Sequence, residues 1–232
     1  MALVALCGWG LLLWKGIGVN SLMADKSVVC LDMDGVLARF NAPFASLLIE
    51  AQGEDLFPEG WEQAGDAEGW VVCWDWPTLY GYTDISQELA WHALRESGNF
   101  WHRLPEYANV TKILDQLETL SATDVIDLYF ITQRSGIWAK RQAEMWLYDR
   151  GIMTPTVLVT GNKIPVLKAL GANFFLDDRL DTVKAAHKAD LPGVYLLDRP
   201  WNRQGRGSGL QVVQTIEEAL REAGLWIELT QT

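Results

Sequence analysis

Positive charge is scarce in this 232-residue chain, which carries 19 Lys and Arg against 30 Asp and Glu for a formal net charge of −11. Broad grips on nucleic acid neutralise phosphates with Lys and Arg, so stable nucleic-acid binding is not expected. A small anion remains possible where a metal or local cations receive it. Cysteine is also sparse. Cys7, Cys30 and Cys73 show no CxxC and no Cys/His spacing, which argues against a disulfide framework or a zinc site and fits a reducing, cytoplasmic setting. His92, His102 and His187 have no metal spacing either and are read as non-catalytic. Internal repeats and low-complexity tracts are absent. The apolar run from Ala2 to Trp14 is short for a bilayer span and lacks the basic residues that open a secretory signal. Residues 1–22 can be a membrane or export segment, a mobile extension, or sequence upstream of a functional start at Met23, the reading preferred here. Membrane association would rest on that stretch alone.

What is present is a globular composition, 49% hydrophobic and 21% charged, with twelve tryptophans. The length suits one domain of good size or a domain with a modest insertion. Short β-branched or aromatic runs alternate with amphipathic helical patterns, the signature of βαβ units and a parallel sheet. Strands are predicted at residues 27–31, 126–132, 156–159, 173–176 and 193–197. Helices are predicted at 110–120, 138–149, 164–170, 180–189 and 216–223, with Gly151 and Gly171 as stop signals. The expected class is α/β with a doubly wound, Rossmann-like parallel sheet. About ninety residues separate the first strand from the second, far more than a simple crossover needs. Residues 51–108, with Trp61, Trp70, Trp74, Trp76, Trp91 and Trp101, therefore read as an insertion between core segments 23–50 and 109–232.

In open parallel sheets ligands sit beyond the carboxyl ends of the strands. Those ends read Asp32-Met33-Asp34-Gly35, Thr132-Gln133-Arg134 and Asp177-Asp178-Arg179, so four acids, a hydroxyl and two arginines should converge on one rim. Four uncompensated carboxylates would destabilise the fold by about several kcal/mol. A bound cation resolves the conflict, and hard oxygen ligands suit Mg²⁺. An Asp-Gly turn or a helix N-cap offers a blander account of the same acids taken singly.

Taken together, DMDGV after a hydrophobic strand, the FITQ strand end, a lysine near a helix start in GNKIPVLKAL, and FFLDDR resemble the four motifs of the haloacid dehalogenase (HAD) superfamily of phosphohydrolases. The resemblance covers roughly residues 27–200. Within the superfamily it is most similar to the 5'(3')-deoxyribonucleotidases, and polynucleotide 3'-phosphatase domains share some features. The resemblance implies that Asp32 is the nucleophile forming an aspartyl-phosphate, and that Asp34 is the acid and base. It further implies that Thr132, Gln133 and Lys163 bind the phosphate substrate, with Lys168 the alternative lysine. Asp32, Asp178, Asp177 and the backbone carbonyl of Asp34 would hold Mg²⁺, with Asp177 orienting lysine or water.

The expectation is a Mg²⁺-dependent phosphomonoesterase acting on a small phosphorylated metabolite, a nucleoside monophosphate among the candidates. Alternatives are a polynucleotide 3'-phosphatase-like enzyme and a phosphate-binding module without turnover. Most tryptophans of the insertion are read as packing anchors, with Trp74, Trp76 or Tyr80 as candidates for stacking a nucleobase. Arg179 is expected to be a salt-bridging partner. The loop DRPWNRQGRGSG, residues 198–209, is expected to be flexible and solvated.

Overall fold

A computed structural model describes residues 26–226 of the chain; residues 1–22 and the start at Met23 lie outside the described residues. Strand β1 (Ser27–Leu31) is followed by helices α1 (Asn41–Gln52), α2 (Trp76–Leu79), α3 (Asp84–Glu96) and α4 (Val110–Ala122). Then come β2 (Ile126–Thr132), α5 (Ala139–Tyr148), β3 (Val157–Val159), α6 (Lys163–Leu170), β4 (Phe174–Asp177), α7 (Leu180–Lys188), β5 (Val194–Leu197), β6 (Gln211–Val213) and α8 (Ile216–Glu222). All six strands run parallel in one sheet, ordered β3-β2-β1-β4-β5-β6. The five strands predicted from sequence each form to within a residue. The sixth, β6, went unread because it is only three residues long and follows a Gly- and Arg-rich loop.

Two apolar layers make the sheet doubly wound. Val29 and Leu31 of β1, Phe130 of β2, Leu176 of β4 and Leu197 of β5 face a layer shared with α4, α5 and α8. Cys30, Ile131, Phe175 and Leu196 face the other, shared with α6 and α7. The strand period of two sends alternate residues to opposite faces, and burial on both faces is why these strands are continuously apolar. Sealed in the second layer, the Cys30 thiol is pushed up to about 12 by burial.

Between β1 and β2 the chain builds α1 against α3 and gathers an aromatic knot around Phe57. Its ring centroid lies 4.8 to 5.5 Å from those of Trp61, Trp70, Trp76, Tyr80 and Tyr82. Trp61, Trp70, Trp76 and Trp101 are buried in the same apolar cluster as Val29 and Leu31, so this segment has no separate core. The chain departs and returns side by side: Arg39 N–H donates to Pro105 O at 2.8 Å and Tyr107 N–H to Leu37 O at 3.1 Å. Among the described residues no helix is long and apolar enough to cross a membrane.

Candidate active site

The site begins where β1 stops. Asp32 N–H donates to Leu176 O at 3.0 Å, after which the chain folds back: the N–H groups of Leu37 and Ala38 both reach Met33 O at 2.8 Å, and Gly35 N–H reaches Ala38 O at 2.9 Å. Gly35 has φ +80°, and a Cβ there would lie 2.3 Å from Asp178 Oδ2. Glycine is thus what lets this turn touch the chain beyond β4.

Lys163 opens α6 and points into the acids. Its buried Nζ lies 2.8 Å from Asp32 Oδ1 and 2.7 Å from Asp177 Oδ2. Lys168 is exposed on the same helix, so the structure brings Lys163 to the acids and leaves Lys168 out. Asp177 Oδ1 accepts from Arg179 N–H at 2.7 Å, so both its oxygens are engaged. Asp178 Oδ2 accepts from Trp201 Nε1 at 2.7 Å, while its buried Oδ1 has no hydrogen-bond partner. One oxygen from each of Asp32, Asp177 and Asp178 falls within a 4.8 Å span; this is the metal-compatible group among the described residues.

Burial pushes the Asp32 carboxyl up to about 7; Asp177 and Asp34 add to the rise and Lys163 opposes it. Asp178 is held well above the ordinary carboxylate range by burial, then by Asp177 and Asp32, with the Trp201 hydrogen bond working the other way. Burial disfavours the Lys163 ammonium, yet Asp177 and Asp32 outweigh that cost and keep it above the usual lysine value. Three buried carboxylates facing one ammonium are a donor set with surplus negative charge and an unpaired oxygen, which fits a divalent cation. Asp32 and Asp178 would hold it, and Asp177 would orient Lys163.

The side chain of Asp34 departs from the metal group. Arg134, fully buried, takes it in a two-pronged ion pair, Nη2 to Oδ1 at 2.8 Å and Nε to Oδ2 at 2.9 Å. That leaves its backbone carbonyl, the ligand expected of it, for a cation. Thr132 Oγ1 lies 3.3 Å from Asp34 Oδ2. Gln133 is exposed and accepts from Arg179 Nη1 at 3.0 Å. Arg179 also pairs with Asp181 at 2.7 Å and lies 4.5 Å from the Trp74 ring centroid. Of the three candidate stacking aromatics, Trp76 is buried in the knot and Tyr80 is spent on Trp70 O, whereas Trp74 is 59% exposed at this rim.

The loop after β5 is exposed at residues 203–205 and 207–209, as expected of a solvated basic segment, but its first turn is not. Trp201 and Asn202 are buried, Arg203 and Arg206 pair with Asp198, and Arg199 Nε donates to Gly35 O at 2.7 Å. Its three arginines masked the signal, a Trp-Asn pair just past a strand end. Arg134 was likewise seen as part of the rim without its partner, because an ion pair spanning a hundred residues has no local pattern. His102 pairs with Asp149 at 2.7 Å.

No protein-family model matches the chain, and no curated protein matches it. Solved structures do. A HAD-hydrolase of Bacillus subtilis, YfnB, bound to magnesium, superposes with TM-score 0.52 at 16% identity over 87% of this chain and 100% of that one. A haloacid dehalogenase-like hydrolase of Burkholderia xenovorans gives 0.53 at 16% identity over 88% and 100%. A phosphoglycolate phosphatase of Lactobacillus plantarum gives 0.52 at 14% identity over 88% and 100%. With its six parallel strands and helices on both faces, the chain has the α/β fold of the HAD-like hydrolases.

Proposed function

We propose that the protein is a HAD-type phosphomonoester hydrolase, dependent on Mg²⁺, whose substrate is a small phosphorylated metabolite. A nucleoside 5'-monophosphate is the favoured substrate, which would make it similar in activity to the 5'(3')-deoxyribonucleotidases. The observation that carries the reading is the buried Asp32, tied to Lys163, with Asp34 two residues on and Asp177 and Asp178 beside it. When bound, the cation supplies charge neutralisation that lets an anionic carboxylate meet an anionic phosphate. Magnesium in the B. subtilis neighbour supports that choice.

Asp32 attacks phosphorus with a carboxylate oxygen, the ester P–O bond breaks, and the leaving oxygen takes a proton from Asp34. Water then attacks the aspartyl-phosphate, gives a proton back to Asp34, and releases phosphate and the Asp32 carboxylate. Lys163 balances charge on Asp32 throughout, Thr132 and Gln133 bound the phosphate side, and Arg134, which pairs with Asp34 in this structure, must release it before Asp34 carries that proton. In-line transfer needs this division between a nucleophile and an acid. The nucleotide reading draws support from Trp74, an exposed aromatic face stacked on Arg179 at the rim.

Purified protein assayed on a panel of phosphorylated metabolites should release phosphate only with Mg²⁺, and Asp32→Asn should abolish release while leaving the circular dichroism intact. Activity retained in that variant removes Asp32 from its role. Trp74→Ala should raise KM for nucleoside monophosphates by about 5- to 150-fold, as loss of a base–aromatic stack worth about 1–3 kcal/mol implies. It should leave ribose 5-phosphate unaffected; equal effects on both substrates sink the nucleotide reading alone.

A further inference from the structure

We infer that the turn formed by residues 199–202, through the indole of Trp201, is the positioning element that presents Asp178 to a divalent cation. The inference rests on the metal-site reading above. Trp201 is 7% exposed, and its Nε1–H donates to Asp178 Oδ2 at 2.7 Å. An indole N–H only donates; it can neither ligate a cation nor be replaced by one, so it fixes the carboxylate without competing for the ion. That contact consumes one Asp178 oxygen and leaves the other, Oδ1, buried and unpaired. A buried carboxylate oxygen without a donor is costly, and nothing among the described residues relieves it.

The turn is anchored on both sides of the same residue. Asn202 Nδ2 donates to Asp178 O at 2.6 Å and to Leu197 O at 2.8 Å, locking the turn to the end of β5 and to the chain that carries Asp178. Arg199 Nε holds Gly35 O at 2.7 Å, and Gly35 in turn lies against the Asp178 carboxylate. Three residues of one four-residue turn therefore fix the turn that bears Asp34 and the acid that faces it. A solvated basic loop has no reason to bury a tryptophan and an asparagine on one aspartate. Partners that orient a metal ligand typically cost 10- to 100-fold in affinity when removed.

The test is Mn²⁺ binding to the full chain, read by electron paramagnetic resonance, in the parent, Trp201→Phe, Asp178→Asn and the double variant. Trp201→Phe should weaken Mn²⁺ by about 10- to 100-fold, and in the Asp178→Asn background it should have no further effect. Unchanged affinity in Trp201→Phe overturns the inference, as does an equal loss in both backgrounds, which would mark a merely structural role. No Mn²⁺ binding by the parent overturns the metal-site reading and this inference with it. If Trp201→Phe fails to fold, Asn202→Ala, which frees the Asp178 backbone, carries the test with the same expected direction and the same refutation.

Discussion

Gly35→Ala puts the close approach of the first turn to Asp178 under direct strain. Two costs add. At φ +80° an alanine pays about 1–2 kcal/mol for the left-handed backbone. Its Cβ would also sit 2.3 Å from Asp178 Oδ2 and 2.5 Å from Cγ, so the carboxylate must move. It cannot do so while keeping the Trp201 indole at 2.7 Å; without a cation burial favours the neutral carboxyl, and a hydrogen bond to a neutral group contributes about 0.5–1.5 kcal/mol. The expected loss is about 1.5–3.5 kcal/mol. Gly53→Ala is the matched control, since Gly53 has the same φ of +80° but nothing within 4 Å of the added Cβ; it should lose only the backbone part. Urea unfolding of the parent and both variants in EDTA, with m unchanged, reads the difference. If the two alanines cost the same to within about 0.5 kcal/mol, the contact between Gly35 and Asp178 carries no energy and the reasoning fails.

Lys163→Met removes the buried counter-charge of Asp32 and Asp177 and should cost about 3–5 kcal/mol in metal-free unfolding; Lys168→Met, at an exposed site, should stay within about 0.5 kcal/mol. Trp146 is fully buried and donates Nε1–H to Leu104 O at 2.8 Å, so Trp146→Ala should lower unfolding free energy by about 3–5 kcal/mol. Burial lifts the Glu68 carboxyl above its ordinary range, against the Tyr107 hydrogen bond and Arg199. A carboxyl raised on folding contributes its stability below the unfolded value, about 4.3, and loses it as pH rises through the folded value. Glu68→Gln retains an acceptor for Tyr107 without titrating, so the parent should lose ground to the variant as pH rises from about 4; parallel pH curves would count against it.

Strands β1, β2, β4 and β5 were legible because they are buried on both faces, which forces uninterrupted apolar runs between polar rims. Asp32, Lys163, Asp177 and Asp178 were legible for a related reason: each sits at a strand end or helix start, where sequence order alone places it on the rim. The geometry of Asp34 was not, since its partner Arg134 lies a hundred residues away and the pairing depends on how β1 and β2 abut. Helix α1 escaped because its apolar residues are spread around the helix and lack a clean face, as packing against both α3 and the aromatic knot requires. The buried turn at 199–202 escaped because charge was the louder local signal.

An interior held in common has a price for modularity. Because Trp61, Trp70, Trp76 and Trp101 share one apolar mass with Val29 and Leu31, excising the stretch between β1 and β2 would strip the floor as well as the roof. The two should melt as one cooperative unit.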